Sequence, residues 1–310
     1  MSAKRHRPPP LWHPRLWPTA LGLGAARLLA LIPVPWQRPL GRALGRAFRV
    51  LAPGRRRIAR RNLELCFPDR PQSAHTEIER AAFETLGISA LETLWTWQAK
   101  REANARYRVE GAQHLQAALE RGRGVLLLGV HLMTLDAISP ALGRLGRIGL
   151  IYRYNKNPLI ERLMVKGRGR YFDAVFERSD VRPMLRYLDS GGALWYAADQ
   201  DYGARHSVFA DFFGVPAATI TALSRLAARR GAAVVPMGQL RDDRTGGWVL
   251  RFEPALANFP APAIESDALE RDARRINATL ERLIDTAPGE YLWVHRRFKT
   301  APPGTPARYD

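Results

Sequence analysis

The chain has 310 residues, 46% hydrophobic and 25% charged, proportions that fit a folded protein and exclude a disordered or fibrous one. The single cysteine, Cys66, excludes an intrachain disulfide and any paired-cysteine metal site. The formal net charge is +19, and residues 1–63 contain 14 Lys or Arg and no Asp or Glu, against 34 basic and 29 acidic residues in the rest. Such asymmetry points the N-terminal segment at an anionic surface, either nucleic acid or acidic lipid.

The first element decides between these. Trp17 to Trp36, "WPTALGLGAARLLALIPVPW", carries one charge, Arg27, and is bracketed by tryptophans. Its length is that of a membrane-crossing helix, about 20 residues, and aromatic residues collect at membrane interfaces. Basic residues lie on both sides, among them Lys4, Arg5, Arg7 and Arg15 before it and Arg38, Arg42 and Arg46 after it. The pattern predicts a membrane element, spanning or lying in the interface. A nucleic-acid arm needs no apolar segment of this length, so nucleic acid is not the expected partner. The pattern divides the chain into a basic anchor segment, 1–63, with its apolar helix at 17–36, and a folded domain, 64–310.

"RRRIARRNLELCFPD" then reads as a basic amphipathic stretch able to lie along headgroups, and 73–101 as a helix. Beyond it the period changes. Uncharged apolar runs at 124–130, 148–152, 193–198 and 232–237 predict strands, with helices at about 134–145, 157–166, 180–189 and 219–230. "GWVLRFEPAL" adds a later strand. "SDALERDARRINATLERLIDTAP" is a helix with a capping box from Asp267 to Glu270. Strand alternating with helix predicts an α/β fold, a mainly parallel or mixed sheet flanked by helices.

Ligands of parallel sheets gather at the carboxyl ends of the strands. His131 follows "GVLLLGV", Asp199 follows "GALWYAA", and Tyr152 and Arg153 follow "IGLI", so all four are expected at one edge. In "HLMTLD" a turn from strand to helix could bring Asp136 against His131. A histidine held by a carboxylate is a minimal general base for activating a hydroxyl; equally, His131 could be structural and Asp136 a first-turn acid. Asp199-Gln200-Asp201 could hold a divalent metal for a nucleotide-sugar, or cap a loop. Lys166, Arg168 and Arg170 could grip phosphate or be solvated. Arg296, Arg297 and Lys299, set among aromatics, read as a second phosphate patch or a stem packed along the anchor. A protein that binds lipid through its basic face alone is the non-enzyme alternative.

His131-x4-Asp136 is the HX4D pattern of lysophospholipid-type acyltransferases. Together with "RRNLELCFPD", "RGVLLLGVHLMTLD", "NPLIERLMVKGRGR", "LWYAADQDYGARHSVFADFFGVPAAT" and "YLWVHRRFKTAPPGTPARY", it resembles the late acyltransferases of bacterial lipid A biosynthesis, of the lauroyltransferase type, from about His13 to Tyr309. The resemblance implies a glycerolipid-acyltransferase-like domain on a transmembrane helix, at the cytoplasmic side of the inner membrane. It implies an acyl donor on acyl carrier protein, no further cofactor, and no metal. The implied acceptor is a hydroxyl on a hydroxyacyl chain of a Kdo-bearing lipid A precursor. Carried over by motif, His131 and Asp136 are the dyad, and Arg168 and Asp199 the supporting pair. The lauroyl branch is more typically HX4E, so Asp136 leaves the branch, and with it the acyl length, open.

Overall fold

The computed structural model describes residues 12–29, 31, 32, 34–98, 107–262 and 267–309. Lys4, Arg5 and Arg7 lie outside them. Four helices come first: α1 (Trp17–Leu29), α2 (Val34–Leu51), α3 (Pro53–Cys66) and α4 (Gln72–Gln98). Among the described residues the strands are β1 (Tyr107–Glu110), β2 (Val125–Gly129), β3 (Ile148–Tyr152), β4 (Ala174–Glu177), β5 (Ala193–Ala197), β6 (Ser207–Phe212), β7 (Val215–Ile220), β8 (Ala233–Asp242) and β9 (Gly247–Phe252). Between and after them run α5 (Ala112–Glu120), α6 (Ser139–Leu142), α7 (Pro158–Arg168), α8 (Val181–Asp189), α9 (Ala222–Arg230) and α10 (Ala268–Asp285).

Seven strands form one sheet in the order β1-β9-β8-β2-β5-β3-β4, and β6 and β7 form an antiparallel hairpin beside it. The strands from β8 to β4 are all parallel; β9 runs antiparallel to β8, and β1 parallel to β9. The expected α/β class with a mainly parallel, mixed sheet is therefore what forms. The continuous apolar runs are explained by position: β2 lies between β8 and β5, and all five of its residues are buried.

The spanning N-terminal helix does not form. α1 has 13 residues, about 20 Å at 1.5 Å per residue, against a hydrocarbon core of about 30 Å. The chain turns at Leu31 and Ile32, whose amides donate to Leu28 and Leu29, and the buried Gln37 side chain caps the Ile32 carbonyl. Among the described residues no helix is long and apolar enough to cross a membrane. α1 instead lies on the domain, with Asn157 Nδ2 donating to Thr19 Oγ1. α2 crosses α4 at glycine contacts: a Cβ on Gly87 would come within 2.1 Å of the Gly41 carbonyl, and one on Gly45 within 2.1 Å of the Phe83 carbonyl. The fully buried Glu79 of α4 collects Arg49 of α2 and Arg56 and Arg60 of α3, locking the three helices.

Two local expectations fail. Residues 132–138 are turns leading to the four-residue α6, because Thr134, where the helix was expected to begin, is buried and donates to the Gln239 carbonyl. Asp267 precedes α10 but makes no side-chain capping bond.

Candidate active site

The parallel register decides which side chains meet. Gly129 of β2 pairs with Ala197 of β5, so the residues two places beyond, His131 and Asp199, emerge side by side at the carboxyl edge. His131 Nδ1 lies 2.6 Å from Asp199 Oδ1, and the His131 main-chain N–H donates to Asp199 Oδ2 at 3.1 Å. Asp199 is fully buried, while the His131 side chain keeps 25% of its surface exposed. Gly129 leaves room for the Trp195 indole, whose Nε1 a Cβ would approach within 2.4 Å; that ring meets the imidazole edge to face.

The other flank is held from far along the chain. Leu292 N–H donates to the His131 carbonyl, Met133 N–H to the Glu290 carbonyl, and Leu132 bridges Tyr291. Glu290 is paired with Arg241, whose buried guanidinium also grips Glu92 and the Met133 carbonyl. The 290–292 segment thus forms a wall against which residues 131–133 are fixed.

Burial drives the Asp199 carboxyl toward protonation, but its interaction with His131, through the ring and the main-chain N–H, outweighs it, and the acid ends below its ordinary range. An ionised Asp199 accepts, so Nδ1 carries the proton and Nε2 presents its lone pair. Burial pushes the Tyr291 hydroxyl up, helped by the Asp199 charge, and pushes His295 down. His295 Nε2 faces the Asp201 N–H at 3.3 Å and must accept there, which fixes the neutral tautomer with the proton on Nδ1. His295 was not among the expected site residues; its lone imidazole between Val294 and Arg296 is the signal for it in the sequence.

The expected His131–Asp136 contact is not the one that forms. Asp136 is bound bidentately by Arg168 from the last turn of α7, at 2.9 and 3.1 Å, and receives the Trp97 indole N–H at 3.1 Å. Arg168 and Asp199 are accordingly not partners: each holds one member of the expected dyad. The seven-residue turn 132–138 sends Asp136 toward α4 and α7, and the strand register gives His131 to Asp199.

Five further expectations sort out by burial and bonding. Tyr152 donates to Glu161 at 2.6 Å, and burial, then that bond, push its hydroxyl up. Arg153 is exposed at the same edge and makes no hydrogen bond to the His131–Asp199 pair. Arg297 cannot meet phosphate: it is buried against Phe212, donating to the Ala218 carbonyl and Thr219 Oγ1, and burial lowers its pKa. Arg296 is exposed. Asp201 caps its loop: Thr300 donates N–H and hydroxyl to its two oxygens, and Gly203 N–H joins them. Both carboxylate oxygens are thus occupied, which leaves the metal reading of Asp199-Gln200-Asp201 without its second acid.

The family model of bacterial lipid A biosynthesis acyltransferases matches residues 5–300. The chain belongs to this family. It is 37% identical to the lipid A biosynthesis lauroyltransferase of Escherichia coli (strain K12), over 96% of this chain and 97% of that protein. It is 35% identical to the palmitoleoyltransferase of the same organism, over 96% of each, and 28% identical to its myristoyltransferase, over 94% of this chain and 90% of that one. The chain is thus an enzyme, a transferase of acyl groups. The first two identities lie too close together to choose an acyl length.

Proposed function

We propose that the chain transfers a fatty acyl group from an acyl carrier protein thioester to a hydroxyl of a hydroxyacyl chain on a lipid A precursor, at the cytoplasmic surface of the bacterial inner membrane. The observation that carries this is the 2.6 Å contact between His131 Nδ1 and the buried Asp199, which leaves Nε2 as the free base. Nε2 takes the proton of the acceptor hydroxyl as its oxygen attacks the thioester carbonyl. Asp199 holds the tautomer and stabilises the imidazolium. When the carbon–sulfur bond breaks, the imidazolium returns the proton to the leaving thiolate, and an ester has replaced a thioester. No residue is acylated and the chemistry calls for no metal or other cofactor.

Asp136 acts at one remove, by fixing the Arg168 guanidinium, which stacks on Trp97. That cation is the side chain we assign to the developing oxyanion, a contribution often among the largest in acyl transfer.

The test is mass spectrometry of lipid A from cells lacking this protein and from the same cells given back wild type or His131→Ala. Wild type should add the mass of one acyl chain, which also names the chain. With purified proteins, His131→Ala should lower turnover by about 10²–10⁴. A folded His131→Ala protein with wild-type turnover would end the base assignment, and restoration without any added acyl mass would end the reading as a whole.

A further inference from the structure

We propose that the groove between the start of α3 and the Arg296–Lys299 turn binds the phosphate of a membrane lipid. The first of its two chambers, of about 550 Å³, is lined by Ala52, Gly54, Arg55, Ile58, Arg296 and Lys299. The second, of about 240 Å³, shares Gly54, Ile58 and Arg296, so the two are one continuous depression, and it adds further cations from α3 and the C-terminal segment, Arg57 and Arg308 among them. Neither has an acidic lining residue. Among the described residues, Arg55, Arg57, Arg296 and Lys299 make no salt bridge with a carboxylate; Arg55 reaches only the Val294 carbonyl, and Arg296 stacks on Tyr309. Of the lining cations Arg61 is paired with Glu64; the remaining exposed cations repel one another, and a multiply charged anion relieves that repulsion.

The surroundings choose the source of the anion. Val50 and Leu51, the two residues before Ala52, are 74% and 79% exposed, and Leu44 and Phe48 of α2 are exposed as well. An apolar band that runs directly into a basic groove matches a lipid, with acyl chains on one side and headgroup on the other. A free phosphate or an acidic protein has no use for the apolar half. The open backbone at Gly54, where a Cβ would meet nothing within 4 Å, keeps the groove accessible. Because binding needs no acyl donor, the inference stands or falls separately from the transferase reading.

The experiment is co-sedimentation of the full chain with phosphatidylcholine vesicles, with and without phosphatidic acid. Arg55→Gln/Arg296→Gln/Lys299→Gln should weaken binding to the acidic vesicles about 100-fold, the scale of three surface cations. Arg121→Gln/Arg229→Gln/Arg244→Gln removes the same charge from exposed positions outside the groove and should change it less than about threefold. Gly54→Glu should leave the melting temperature unchanged or raised, since an acid suits the first turn of a helix, yet still weaken vesicle binding. Equal losses in the two triple variants would overturn the proposal, as would wild-type vesicle binding in the groove variants. Groove-dependent binding of inorganic phosphate or of acyl carrier protein in place of vesicles would overturn it too.

Discussion

At the scale of single residues, the central result is an exchange of partners. His131 and Asp136 were legible as a pair because five residues separate them, but sequence distance says nothing about where a turn sends a side chain. Asp199, 68 residues away, wins His131 because two parallel strands hold it in register. A double-mutant cycle separates the two pairs. Asp136→Asn and Arg168→Gln should couple by about 0.5–3 kcal/mol in stability, as contacting residues do, whereas Asp199→Asn and Arg168→Gln, which share no partner, should add to within about 0.5 kcal/mol. Strong coupling of the second pair and none of the first would restore the expected Arg168–Asp199 pair. His295 makes a pH prediction. Burial holds its folded pKa below the ordinary 6.5, so on acidification from neutrality the unfolded chain takes up a proton that the folded chain refuses. Its contribution is complete above pH 6.5 and lost as pH falls toward the folded value. Raised carboxyl groups such as Glu281 act with the opposite sign, so the quantity to measure is the difference in stability between wild type and His295→Gln. That difference should shrink below pH 6.5 and be flat above it; a difference independent of pH would remove His295 from the account. Arg297 marks the limit of reading at this scale. A guanidinium among aromatics looks the same in sequence whether it faces water or, as here, neutral acceptors supplied by β7 and α10.

At the scale of elements, the strands found in advance are those buried on both faces, because continuous apolar character is a local signal. Those missed were β1 and β4, four-residue strands at the two sheet edges with no fully buried residue, and the β6–β7 hairpin. Residues 219 and 220 were expected in a helix and end β7 instead, tied into the hairpin by Asn277 of α10, which bonds Thr219 and the carbonyls of β6. The α2–α4 crossing was equally illegible, since Gly41, Gly45 and Gly87 carry meaning only once two helices touch. It makes a sharp prediction. Gly87→Ala should destabilise by about 1–3 kcal/mol, the range for an overpacked core, because its Cβ would meet main-chain atoms of α2 that cannot rotate aside. Gly54→Ala in α3, which meets nothing, should stabilise by about 0.4–1 kcal/mol by restricting the unfolded chain. Equal effects of the two substitutions on urea midpoints would show that helix propensity and not the close crossing governs these sites.

At the scale of the whole molecule, the charge and the apolar segment of the N-terminus point to one kind of surface, but composition does not distinguish crossing a bilayer from lying on it. The structure removes the single long helix, since α1 ends at Leu29 and the chain turns at Leu31 and Ile32. Trp17, Leu21 and Leu28 of α1, then Trp36, Leu44, Phe48, Val50 and Leu51 of α2, are exposed, while 14 basic residues and no acids occupy the first 63 positions. Large exposed apolar residues flanked by cations are the signature of interfacial binding, in which buried apolar area and attraction to anionic lipid both contribute. If α1 and α2 lie in the interface, alkaline carbonate should strip the protein from isolated membranes, and high salt alone should release only part of it. Val50→Ser/Leu51→Ser should weaken vesicle binding by about tenfold or more, because burying each side chain is worth up to about 1.5–3 kcal/mol and an interface realises part of that. Retention after carbonate, together with an indifferent Val50→Ser/Leu51→Ser, would mean that the apolar N-terminus enters the bilayer in another arrangement than the one its turn at residues 31 and 32 dictates.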